Sequence, residues 1–135
     1  MAGMEPSELS EVFDANDVAV AYLFGSRADR RATPASDHDV AVLFADVEPA
    51  LDATERLAAE LATVLGTPVD VVDLDRATLE LGGHVAERGR VVHSSDEVRR
   101  VRFEVQTRLR WVEFRPVVHA ATRSYLRRVA AEGLR

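Results

Sequence analysis

The order of apolar runs and turn signals predicts an α+β (mixed α/β) domain: a small mixed sheet flanked by helices, with two C-terminal helices. Three observations lead to it. Residues 18–24 and 38–45 are short runs rich in β-branched and apolar residues, separated by a polar segment. A third such run, 69–74, follows a helical stripe that closes on Gly66. From residue 95 onward the apolar residues recur at spacings of three and four, the period of a helix. With 135 residues, 47% apolar and 30% charged, the chain can bury one core, so residues 1–135 read as one domain. Within it, 1–94 form the core and 95–135 a helical extension.

Pro6-Ser7 opens a short helix whose apolar side is Leu9, Val12 and Phe13. Asp14 to Asp17 is a turn. Val18 to Phe24 then reads as a buried strand, ending at Gly25. Ser26 to Ser36 is polar and punctuated by Thr33-Pro34, and a second strand runs from His38 to Ala45. A helix from Pro49 to about Leu65 carries Leu57, Ala58, Leu61, Val64 and Leu65 on one stripe. Val69 to Leu74 is the third strand, Arg76 to Arg88 a shorter helix, and Arg90 to His93 a short edge strand. Ser95 caps a long helix with Val98, Val101, Val105, Leu109 and Val112 in register. Pro116 is expected to break it, and a final helix to about Ala131 is expected to bury Val117, Ala121, Tyr125 and Val129.

Charge and composition narrow the class. There is no cysteine, which excludes disulfides and thiolate-bound zinc. The longest apolar run, from Val18 to Gly25, is too short to cross a membrane. Glu5, Glu8 and Glu11 stand where a secretory signal would be basic, so a cytoplasmic location is expected. All 17 basic residues are arginine, which removes the lysine-dependent P-loop. Residues 1–98 carry 20 acids and 7 arginines (−13), residues 99–135 carry 10 arginines and 3 acids (+7). This asymmetry is either self-complementary or offers a basic tail to an acidic partner.

The chemistry concentrates at Leu23-Phe24-Gly25-Ser26-Arg27-Ala28 and Asp37-His38-Asp39. Glycine lets a phosphate approach the backbone, and Ser26 adds a hydroxyl and an N–H. Asp37 and Asp39, at i and i+2 on a strand, project to one face about 7 Å apart. Their repulsion is relieved by a cation, and Mg²⁺ favours one or two carboxylates together with phosphate oxygens. Nucleotidyl transfer calls for a third carboxylate on a neighbouring strand. The candidates are Asp70, Asp73 and Asp75. Asp70, between two valines on the strand, is preferred and Asp73 is the alternative.

Gly25-Ser26, ten residues, then Asp37-His38-Asp39 resembles the G-S-x10-D-x-D signature of the polymerase-β-like nucleotidyltransferase superfamily. The short chain, the Val69–Leu74 strand and Glu87-Arg88-Gly89-Arg90-Val91-Val92 are similar to its minimal nucleotidyltransferase (MNT) branch, and to MntA-like antitoxins encoded beside HEPN toxins. The resemblance implies the polymerase-β-like fold. It also implies Asp37, Asp39 and Asp70 as catalytic and metal-holding residues, and Gly25, Ser26, Arg27 and Ser36 as the nucleotide-binding set. A two-metal Mg²⁺ site, ATP as substrate and a HEPN ribonuclease toxin as partner follow by the same likeness, with AMP transferred to a toxin tyrosine. Alternatives are an antitoxin that neutralises by binding, or transfer to an aminoglycoside-like small molecule or an RNA end. The chain leaves little room for the acceptor domain those last two require, and its acidic body disfavours nucleic acid.

Two positions depart from the pattern. Asp29-Arg30 stands where the family has Arg-Gly, and His38 stands between the metal aspartates where an aliphatic residue is common. By strand parity His38 faces away from the carboxylates. His84, His93 and His119 have no metal-ligand spacing, and Trp111, Phe114 and Tyr125 read as helix-packing residues. The arginines at 123, 127 and 128 are either a solvated face or a docking strip, and the C-terminal helices are a candidate surface for self-association.

Overall fold

A computed structural model of the chain describes residues 6–25 and 38–132. The elements are α1 (Pro6–Ala15), β1 (Val18–Phe24), β2 (His38–Phe44), α2 (Ala53–Leu65), β3 (Val69–Asp73), α3 (Leu79–Arg88), β4 (Arg90–Ser94) and α4 (Glu97–Glu132). The strands form one mixed sheet in the order β3-β2-β1-β4. β1 is antiparallel to β2 and to β4, whereas β2 and β3, joined through α2, are parallel. A parallel pair needs such a crossover, because a short hairpin cannot reverse the chain twice.

Both faces of the sheet are covered, which is why the central strand β1 is an unbroken apolar run rather than an alternating one. On one face Val18, Ala21, Val40, Val42 and Phe44 pack with Phe13 of α1 and with Leu57 and Leu61 of α2. On the other, Val20, Tyr22, Ala41 and Leu43 pack with Leu74, with Val85 of α3 and with Phe103 of α4. Alternation along β1 lets it serve both cores, with a register shift between Val18 and Val20.

Most expected elements are present, with shifted ends. α2 starts at Ala53, not at Pro49, because 45–52 are taken up by a turn in which Asp46 accepts the Glu48 N–H. Its end is as expected: Gly66 adopts φ 72° and its N–H returns to the Ala62 carbonyl. α3 starts at Leu79, where Thr78 accepts the Leu81 N–H as N-cap. β4 is an edge strand. His93 on it is structural: its ring stacks on Phe13 at 5.2 Å and Nε2 lies 3.2 Å from the Val18 carbonyl.

The C-terminal region differs from expectation. In place of two helices there is one, Glu97–Glu132, running through Pro116. Proline removes the backbone donor that would reach the Val112 carbonyl, and Val112 is exposed, so water can solvate that carbonyl. At about 1.5 Å per residue the helix is about 54 Å long. Its first half lies on α3 and the sheet through Phe103, Thr107 and the buried Trp111. Phe114, Ala121 and Tyr125, expected to be packed, are exposed, because the body ends near Trp111. Val129 is half-buried, and the Val117 side chain lies outside the described set.

Part of the basic tail is self-complementary. Arg99 Nη2 donates to the Phe44 carbonyl (2.8 Å) and to Asp75 (2.7 Å), and Arg108 donates to the Ala86 carbonyl. Arg100 joins Glu97 to Glu104, and Glu104 accepts the buried Tyr22 hydroxyl at 2.9 Å. Burial and the Glu104 hydrogen bond push the Tyr22 phenol pKa upward. The bonds from Arg100 and Ser94 hold the Glu97 carboxyl down at about 2. Arg102, Arg110, Arg123, Arg127 and Arg128 face solvent.

Candidate functional site

Strand register builds the site. In the β1–β2 pair Phe24 stands opposite Asp39, and in the parallel β2–β3 pair Asp39 stands beside Asp70. Registered partners in a sheet share a face, so Asp39 and Asp70 project together from adjacent strands about 4.8 Å apart. That face is the one carrying Tyr22 and Ala41, at the sheet end where β1 finishes and β2 and β3 begin. Asp39 is half-buried and Asp70 exposed, so the pair opens to solvent.

Gly25 closes the site from the β1 side. It adopts φ 81°, and a Cβ built there would lie 2.6 Å from Asp39 Oδ2. The carboxylate therefore occupies the space a side chain would need, and only glycine fits. Gly25→Ala is expected to cost about 1–2 kcal/mol from the left-handed backbone alone. It should also displace the Asp39 carboxylate, so that thermal unfolding shows the modest loss while nucleotide affinity falls further than that loss accounts for.

The other aspartates of the third strand are committed elsewhere. Asp73 stands opposite Val42, on the opposite face from Asp70, and is buried. Its carboxylate accepts the Asp75 N–H at 2.9 Å and an Arg76 Nη1–H at 2.8 Å, which holds the turn into α3. Asp75 lies past the strand and pairs with Arg99. His38, register partner of Val69, alternates to the face opposite Asp39. Asp37, Ser26, Arg27 and Ser36 lie outside the described residues, as does Asp29-Arg30.

One basic residue that the motif did not single out reaches the same sheet end. Arg90 begins β4 as register partner of Leu23, on the opposite face from the carboxylates. Strand pairing alone brings it there, and no local spacing signals it.

Two carboxylates side by side repel, and a hard cation answers that. Among the described residues no group of three or more His, Cys, Asp or Glu side chains is close enough to hold a metal, and Asp37 is not among them. The donor chemistry fits Mg²⁺, which takes oxygen ligands and keeps positions for phosphate. The space a Cβ at Gly25 would need is taken by the Asp39 carboxylate, which the glycine lets lie close to the β1 backbone.

The family model described as "Polymerase beta, Nucleotidyltransferase" matches residues 7–98. Among curated proteins, none matches the sequence significantly. Among solved structures, the chain resembles a crystal structure of a toxin–antitoxin with AMP-PNP, at TM-score 0.69 and 26% identity, over 88% of this chain and 99% of that one. It resembles a mutant of the MntA–HepT toxin–antitoxin at TM-score 0.67 and 27% identity, over 89% and 99% of the two chains. A third likeness is to the complex of a tri-AMPylated Shewanella oneidensis HEPN toxin with its MNT antitoxin, at TM-score 0.62 and 26% identity, over 87% and 95%. Among the described residues no helix is long and apolar enough to cross a membrane.

Proposed function

This chain belongs to the polymerase-β nucleotidyltransferase family, and from that premise we propose that it is an Mg²⁺-dependent protein adenylyltransferase that silences a HEPN toxin by AMP transfer. The observation that carries the reading is the Asp39–Asp70 pair in register beside the Gly25 notch. The toxin–antitoxin likenesses, one with AMP-PNP and one with an AMPylated toxin, support nucleotide and partner.

Asp37, Asp39 and Asp70 would hold Mg²⁺, which supplies charge neutralisation on the phosphates and a more acidic acceptor hydroxyl. Gly25 and Ser26 receive the triphosphate, with Arg27 and Ser36 beside it. A tyrosine oxygen of the acceptor attacks the α-phosphorus. The bond from that phosphorus to the bridging oxygen breaks, pyrophosphate leaves and the phenolic proton passes to solvent. The chain's own contribution is positioning: strands fix the carboxylates, and Gly25 leaves the Asp39 carboxylate the room it occupies.

A pair of isosteric changes tests the assignment of the third carboxylate. Asp70→Asn, at an exposed position, should leave stability within about 0.5 kcal/mol and reduce transfer to background. Asp73→Asn breaks the Arg76 pair and should cost about 1–2 kcal/mol while retaining transfer. The assay is the mass of the toxin encoded next to this protein after incubation with Mg-ATP, where each transfer adds one AMP. Inactivity of Asp73→Asn with full activity of Asp70→Asn would reverse the assignment. A tight complex with no mass gain would favour neutralisation by binding.

A further inference from the structure

Five aliphatic side chains of α4 point to solvent: Val98, Val101, Val105, Leu109 and Val112, each 48–67% exposed. Their spacings of 3, 4, 4 and 3 keep them on one straight stripe about 21 Å long. The opposite side of the helix, with Phe103, Thr107 and Trp111, packs on the body. The stripe is therefore a second apolar face, larger than scattered surface residues account for.

We propose that α4 is a self-association element, in which two copies of this chain pair antiparallel about a twofold axis at Val105. The spacing is a palindrome centred on that residue. Reversing one helix sets Val98 level with Val112 of the second copy, Val101 level with Leu109, and Val105 against itself. The bodies lie on the outer sides of the helix pair, so they do not collide.

Charge selects the direction. At 100° per residue, Arg102 and Glu113 flank one side of the stripe, and both face solvent. In the antiparallel pair like sides meet. Arg102 is then closer along the axis to Glu113 of the second copy, about 7.5 Å, than to its own symmetry mate, about 9 Å. The line of the stripe continues into Arg123 and Arg127. A parallel pair would set these arginines against their own copies. An antiparallel pair sends each basic arm past Asp96 and Glu97 of the second copy, toward its acidic body, and also opposes the helix dipoles.

The absence of cysteine makes the test direct. Under oxidation, Val105→Cys should give a disulfide-linked dimer on a non-reducing gel and Val98→Cys should not, since the two Val98 positions lie about 21 Å apart. An equimolar mixture of Val98→Cys and Val112→Cys should cross-link. By light scattering on a sizing column the unmodified chain should be a dimer and Val105→Glu a monomer with unchanged circular dichroism. Cross-linking of Val98→Cys as readily as Val105→Cys, or a dimer that survives Val105→Glu, overturns the proposal. So does an unmodified chain that stays monomeric while Val105→Glu abolishes toxin capture, which would give the stripe to the toxin.

Discussion

Replacing Asp39 by alanine should lower AMP transfer about 10³-fold or more, the scale seen when one preorganised electrostatic group is taken from a transition state. Asp39 is the residue on which the site converges: it stands beside Asp70 in register, and its carboxylate fills the notch over Gly25. The substitution should leave the fold within about 1 kcal/mol, because the strand register rests on the buried Val40, Val42 and Phe44 rather than on a half-buried carboxylate. Mg-ATP should raise the unfolding temperature of the unchanged chain and not that of the variant, since stabilisation by a ligand requires its binding. Mass spectrometry of the toxin and thermal unfolding with and without Mg-ATP give both readouts. Retention of a tenth or more of the transfer rate would remove Asp39 from the chemistry.

Two adjacent glycines in α3 should respond to alanine with opposite signs. Both are buried where α3 lies against α4. A Cβ at Gly83 would stand 2.6 Å from Cγ and Cδ2 of Trp111, a ring held by its own packing. A Cβ at Gly82 would touch only the Thr107 methyl at 3.6 Å, an ordinary contact. Gly82→Ala should therefore gain up to about 1 kcal/mol of helix propensity. Gly83→Ala should lose about 2 kcal/mol, because overpacking outweighs that gain. For a domain of this size the loss lowers the unfolding temperature by about 6–10 °C. Trp111 is the only tryptophan, so its fluorescence reports the same seam directly. Equal responses of the two variants would show that the ring moves aside freely.

The Gly82-Gly83 seam also selects the face of α4 that the body covers. The periodicity of α4 established a helix, but the helix carries apolar residues on two faces. The regular valine stripe is the more conspicuous in sequence, yet the body takes the sparser face, because a tryptophan ring needs a notch and α3 supplies one at Gly83. That choice depends on a shape about thirty residues away in the chain. Pro116 lies inside α4 for a related reason: the cost of a proline depends on whether the carbonyl one turn before it meets water, which is a property of the surroundings.

What the sequence determined by itself is local. The apolar runs of β1 and β2, the left-handed turns at Gly25 and Gly66 and the α2 stripe follow from φ preferences and from periods of 2 and 3.6. Which third-strand aspartate joins Asp39 was narrowed by parity, but the parallel register put Asp70 beside it and turned Asp73 into the support of a turn. The tertiary structure alone decided which face of α4 is covered and which is left exposed. Strand pairing and side-chain fit are cooperative and non-local: a one-residue change of register, or one missing methyl in a helix, redirects a whole face.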